Sequence, residues 1–207
     1  MKAFVGLDLL VLAADAISQV ANFDADVVGQ PPIGWTYGAT GSGNPRWSVT
    51  SDGSAPSPPN VLKQAGVATF PWCVKDDAMA TDGAVAVKFK PVSGKEDQAG
   101  GVVWRWKDRD NYYVARANAL ENNVSLYYTV GGDRRTIVYK DAPVAPNAWH
   151  SLRVVYKGAL IQVWLDGKIY ITVEDGHITG PGKAGVWTKA DSVTLFDDFS
   201  HSASAAK

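Results

Sequence analysis

Residues 101–118 read GVVWRW, then KDRD, then NYYVARAN. Two short runs rich in Val, Trp and Tyr flank a four-residue charged connection, the signature of a β-hairpin. Arg105, Tyr113 and Arg116 sit inside the otherwise apolar runs. Pairing Trp106 with Tyr112 would place Val102, Trp104, Tyr112 and Val114 on a core face and Arg105, Tyr113 and Ala115 on the opposite one. Arg116 then points inward, a costly place for an unpaired charge. A bulge near Ala115 would re-aim it.

The same pattern extends outward from this hairpin. Turn clusters rich in Gly, Pro, Asn, Asp and Ser recur at residues 29–32, 41–45, 51–60, 93–95, 131–133, 166–167 and 180–182. Between them lie runs dense in β-branched and aromatic residues, at 84–91, 101–106, 112–117, 123–130, 136–140, 150–157, 160–165, 168–174, 184–188 and 192–200. Many short strands at regular spacing predict an all-β fold, a two-sheet antiparallel jelly-roll sandwich. One helical turn near residues 61–65 is the single exception expected after residue 21. Alternation assigns faces: Ile161, Val163 and Leu165 point to the core, Gln162 and Trp164 away from it. Asp166-Gly167 is a hairpin turn, and Trp149 plugs the sandwich edge. One domain is expected over residues 21–201, with a frayed tail at 202–207.

The chain has 207 residues, 46% of them hydrophobic, enough for one sizeable core. A net charge of −1 without a basic stripe excludes nucleic acid as a partner. The lone Cys73 rules out an intrachain disulfide and reads as a small buried hydrophobe. Residues 1–20 open with Lys2, an apolar run and Ala14-Asp15-Ala16, the outline of a secretory signal, although Asp8 interrupts the run. The alternative is an N-terminal extension kept in the mature chain. The run is too short to span a membrane. The expected location is therefore secreted or periplasmic.

Several strings, taken in order, carry a family resemblance: FDADVVGQPPIGW from Phe23, APSPPNVLKQ from Ala55, DGAVAVKFKPVSGKEDQAGGVVWR from Asp82, NYYVARANALENNVSLY from Asn111, WHSLRVVYKG from Trp149, VWLDGK from Val163 and GVWTKADSVTLFDDF from Gly185. Together they resemble bacterial exported proteins of the concanavalin A-like lectin/glucanase superfamily. Within it the chain looks closest to laminin G-like domains and to the bacterial family labelled 3-keto-disaccharide hydrolase. The resemblance covers residues 22–200 and implies a curved sheet whose concave face binds glycan. It departs from the retaining glucanases of that superfamily, whose Glu-x-Asp-x-x-Glu strand puts acid and nucleophile on one face. No such string exists here.

Aromatic rings and guanidinium groups on one sheet face suit a carbohydrate, which offers flat apolar patches and many hydroxyls. The candidate ligand-binding residues are Arg105, Tyr113, Arg116, Trp164, Trp187, Lys189 and Asp191. Arg105 is expected on the concave face, with a pairing to Glu96 or Asp97 as the bland alternative. Tyr113, Trp164 and Trp187 lie off the predicted core faces. Lys189 and Asp191 would form a polar rim beside Trp187, or be solvated charges. Asp24, Asp197 and Asp198 would meet where the first and last strands of a jelly roll lie side by side, there to hold a structural Ca²⁺ or to accept backbone N–H groups. His150, His177 and His201 show no zinc spacing, and Asn123 begins an Asn-x-Ser string.

Three functions remain open on these residues. One is a non-catalytic glycan-binding module. Another is a glycoside-processing enzyme that works by elimination on a 3-keto glucoside, with Glu96, Asp191 or Asp197 as base and Arg105 or Lys189 as electrophile. The third is an extracellular structural or protein-interaction domain.

Overall fold

A computed structural model describes residues 19–204. The export outline at residues 1–18 and the last three residues lie outside the described residues. Those described form strands and no helix: β1 Gln19–Ala21, β2 Trp35–Asn44, β3 Trp47–Ser51, β4 Asn60–Gln64, β5 Val67–Ala80, β6 Gly83–Ser93, β7 Ala99–Asp108, β8 Asn111–Asn118, β9 Asn123–Val130, β10 Asp133–Asp141, β11 His150–Lys157, β12 Leu160–Leu165, β13 Lys168–Glu174, β14 Gly182–Trp187 and β15 Val193–Ala203. No helix among the described residues is long and apolar enough to cross a membrane.

The strands form two antiparallel sheets. One runs β13-β12-β11-β6-β15-β4-β3, with β1 added on β15; the other runs β10-β9-β8-β7-β14-β5-β2. Strand alternation sends Val85, Val87 and Phe89 of β6 inward, with Leu152 and Val154 of β11 and Phe196 and Phe199 of β15. They meet Val102 and Trp104 of β7, Leu126 of β9 and Val186 of β14 from the other sheet. Trp35 closes one part of this core, edge-on to Phe199 at 4.9 Å. Gly100 lets the layers approach closely, since a Cβ there would stand 2.2 Å from the ring of Phe89.

The central hairpin differs in register from the expectation. Trp104 pairs with Tyr113, and the ladder then slips before Asp108 meets Asn111. The irregularity therefore falls at residues 105–107 of β7, not near Ala115. Arg105 takes φ +46°, a left-handed conformation that turns its side chain under the sheet. Tyr113 and Ala115 consequently face the core, whereas Tyr112 and Val114 face outward. Arg116 shares their outward face, where it is still buried and is compensated by pairing with Asp97 rather than by a bulge. Residues 61–64 belong to β4 rather than to a helical turn, and β15 pairs as far as Ala203 with Gly83.

Candidate functional site

The outer face of the seven-stranded sheet carries a second apolar cluster. Trp72 and Val74 of β5, Val103 of β7, Tyr112 and Val114 of β8, Tyr127 of β9 and Trp187 of β14 are all buried there, with Phe70 and Trp106 packed against them. This follows from alternation, because the neighbours of a core residue along a strand face the other way: Trp72 and Val74 flank Cys73, Tyr112 and Val114 flank Tyr113, and Trp187 follows Val186. Phe70 stacks on Trp187 with centroids 5.7 Å apart, and Trp72 meets Trp106 at 5.1 Å. The Tyr112 hydroxyl lies 2.7 Å from Thr40 Oγ1 of the edge strand β2.

Arg134 of β10 lies across this aromatic floor. Its guanidinium carbon is 4.3 Å from the Tyr127 ring centroid, 4.4 Å from Phe70 and 5.6 Å from Trp187. Cation–π attraction of this kind strengthens as the cation loses water. Nη1 of Arg134 is buried with no hydrogen-bond partner among the described residues. Burial pulls its pKa below the usual guanidinium value, and the positive charge of Arg116 adds to the effect.

Beside Arg134 opens a cavity of about 430 Å³, lined by Ser42, Thr69, Phe70, Glu96, Lys189 and Ala190 among others. Its charged wall is built on a buried carboxylate. Asp97, 0% exposed, accepts Arg116 Nη1 at 3.0 and 3.2 Å, Asn118 Nδ2 at 2.8 Å and Lys189 Nζ at 2.7 Å. Arg116 is therefore neutralised where it stands, and its Nη2 also donates to Glu121 at 2.7 Å. Partial burial works against ionisation of Glu121, but donors from Asn123, Tyr139 and Arg116 outweigh it and bring its pKa down to about 2. Asp191 accepts the backbone N–H groups of Lys95, Glu96 and Asp97 at 2.6, 3.0 and 3.1 Å. It braces the turn that presents Glu96 to the cavity, and these donors hold its pKa low against the opposing effect of burial.

The sequence-predicted residues do not share one face. Arg116, Trp187, Lys189 and Asp191 gather on or beside the outer face of the seven-stranded sheet, although Trp187 is 0% exposed and forms the floor under Phe70 and Arg134. Arg105 is not on that face. It is 2% exposed and directed to the loops at one end of the sandwich, where Nε donates to Thr81 O at 3.0 Å, Nη1 to Ile178 O at 3.0 Å, and Nη2 to Gly158 O at 2.8 Å and Asp82 Oδ1 at 3.1 Å. Tyr113 lies in the core, stacked on Trp104 at 5.4 Å, its hydroxyl bonded to Asp175 and accepting Ile178 N at 3.1 Å. The β7 slip is the physical reason for both corrections. Trp164 stands on the outer face of the eight-stranded sheet, beneath Arg153.

Asp24, Asp197 and Asp198 do converge, on the loop before β4. Asp24 accepts Asn60 N at 3.0 Å, Asp197 accepts Ser57 N at 2.8 Å and Asp198 N at 2.7 Å, and Asp198 accepts Ser57 Oγ at 2.7 Å. Burial, with Asp198 and Asp24 nearby, lifts the Asp197 pKa to about 6 despite these donors. Among the described residues no three His, Cys, Asp or Glu side chains are grouped to hold a metal ion. Through these bonds the three aspartates secure the loop before β4.

Arg134, Phe70, Trp72 and Tyr127 are the residues that sequence reasoning missed. Arg134 follows a Gly-Gly-Asp turn and reads as an exposed turn charge. Phe70-Pro71-Trp72 could have been recognised from its alternating rings, had Pro71 not argued against a strand.

No protein-family model and no curated protein matches the chain. Solved structures do. The carbohydrate-binding module CBM66 from Bacillus subtilis aligns with a TM-score of 0.67 at 19% identity, over 84% of this chain and 97% of that one. A β-1,3-1,4-glucanase (lichenase) from a mouse hindgut metagenome aligns at 0.59 and 15%, over 91% and 99%. The β-glucanase of Bacillus licheniformis aligns at 0.55 and 12%, over 91% and 98%. The chain thus shares a two-sheet antiparallel jelly-roll fold with these structures. Identities this low speak for the fold alone.

Proposed function

We propose that the protein is an exported glycan-binding module that holds a saccharide in the cavity between Arg134, Glu96 and Lys189. The observation that carries this reading is Arg134, held by three rings with a guanidinium nitrogen that no acceptor among the described residues satisfies. A sugar ring laid against Phe70 would bring hydroxyl oxygens to that guanidinium and to Lys189, and hydroxyl hydrogens to Glu96. A jelly roll whose structural neighbours include a carbohydrate-binding module supports the same reading. Export rests on the sequence outline of residues 1–20.

A printed glycan array followed by affinity electrophoresis tests it. Arg134→Ala should weaken retention on any ligand found by about tenfold or more, with near-ultraviolet circular dichroism unchanged. An array on which nothing binds, or retention indifferent to Arg134→Ala, overturns the proposal. A second reading, elimination chemistry on a 3-keto glucoside, draws support from Glu96 and Lys189 lining one cavity. It requires release of reducing sugar that is abolished in Glu96→Gln.

A further inference from the structure

The outer face of the eight-stranded sheet carries a groove of about 360 Å³ that the cavity beside Arg134 does not share. One cross-strand row builds it: Trp164 opposite Arg153, Arg153 opposite Ala86, and Ala86 opposite Ser200. In the next row Ser151 pairs with Lys88. Ala86 is the short residue at the centre, so depth opens between Arg153 on one side and Ser200 and Asp198 on the other. Arg153 lies 5.2 Å above the Trp164 ring.

The two cations of this groove have no carboxylate in contact among the described residues. Neither Lys88 nor Arg153 makes an ion pair or hydrogen bond among the described residues, and Arg153 makes a cation–π contact with the indole. The nearby carboxylates are committed elsewhere. Asp198 takes Ser57 Oγ at 2.7 Å, and Asp197, in register with Lys88, turns to the amides of Ser57 and Asp198. Asp166 holds His150 Nδ1 at 2.7 Å and Ser151 N at 2.8 Å. Two half-buried cations on diagonal sheet positions, about 7–8 Å apart at the backbone, therefore face a common hollow beside an aromatic ring. The volume falls at the small end of ligand pockets, about 300–1,000 Å³.

We propose that this groove is a second saccharide site, built for an acidic sugar: a uronate carboxylate would take the fork of Arg153 and the ammonium of Lys88, with the pyranose against Trp164 and its hydroxyls reaching Ser151, Ser200 and Asp198. Arginine matches a carboxylate through two parallel N–H donors, which a hydroxyl cannot reproduce. The inference is independent of the Arg134 cavity, which lies on the other sheet.

Titration of the full chain with trigalacturonate, followed through the tryptophan indole N–H resonances, tests it. The Trp164 resonance, assigned by its disappearance in Trp164→Phe, should shift and saturate. Neutral galactotriose should bind about tenfold more weakly or worse, and Arg153→Gln with Lys88→Gln should cost trigalacturonate a similar factor. Since neither side chain makes an ion pair or hydrogen bond among the described residues, the thermal midpoint of the double variant should fall by no more than about 2–4 °C, the effect of losing the Arg153–Trp164 contact. Lys88→Gln alone serves if the pair does not fold. Equal affinity for the neutral trisaccharide, a Kd unchanged by the charge removals, or shifts confined to Trp187, Trp72 and Trp106 would overturn the proposal. Arg134→Ala should leave this titration untouched, so failure at one sheet is read separately from failure at the other.

Discussion

Asp97 is the most informative single position for testing how the charged wall is held. Asp97→Asn keeps the volume but removes the charge that faces Arg116 at 3.0 and 3.2 Å and Lys189 at 2.7 Å. Arg116, 2% exposed, is left without its principal counter-ion. Breaking a buried pair by removing one partner costs about 3–5 kcal/mol. The lower end applies here, because Glu121 still accepts Nη2 of Arg116 and Lys189 has a path to water. For a domain of this size each kcal/mol moves the midpoint by about 2–4 °C, so a loss of about 3 kcal/mol predicts a fall of roughly 6–12 °C in Tm. Calorimetry and urea titration measure it directly. A cost below about 1 kcal/mol for Asp97→Asn, the value of a surface ion pair, would refute the argument that this carboxylate organises the wall.

Tyr113→Phe should destabilise by about 1–3 kcal/mol, because Ile178 N and the Asp175 carboxylate both lose a buried partner, and urea denaturation reads it. Gly100→Ala should cost a similar amount, about 1–3 kcal/mol in the same assay, since the new methyl meets the immobile ring of Phe89. Asp197, with its pKa lifted to about 6, keeps a proton in the folded state that the unfolded chain has already released. Its contribution to stability is therefore complete below about pH 4 and is lost as pH rises through about 6, by on the order of 2 kcal/mol. His201, whose pKa burial lowers, acts in the opposite sense over an overlapping range. The comparison of wild type with Asp197→Asn across that range isolates the carboxyl; parallel curves would refute it.

The second half of the chain was open to reading because its strands alternate cleanly. β9, β11, β12 and β13 begin and end at the residues expected from Asn123 onward. β2 and β5 were hidden for physical reasons. β2 contains three glycines and reads as a turn cluster, while β5 carries Pro71 and an acidic pair that belong to an edge or a loop in most strands. Losing β5 concealed the aromatic floor, since Phe70 and Trp72 supply one side of it. The hairpin at residues 101–118 was recognised, but a slip of register reverses which rings face the core. That reversal carried Arg105 and Tyr113 away from the candidate face and brought Tyr112 to it. Arg116 and Lys189 fell near the site, yet their shared carboxylate Asp97 joins them from a loop about 20 residues before Arg116 and about 90 before Lys189, a separation that no local pattern encodes.

Arg105 has a consequence for how the fold can diverge. One guanidinium gathers carbonyls from the connections after β5, β11 and β13, and the Tyr113 hydroxyl fastens the last of these again at Ile178. The three connections are thereby inherited as a set: lengthening any one withdraws an acceptor from a cation that has no route to solvent. Recombination at this end of the sandwich should succeed only when all three segments and the β7 irregularity are exchanged together, as a single cassette.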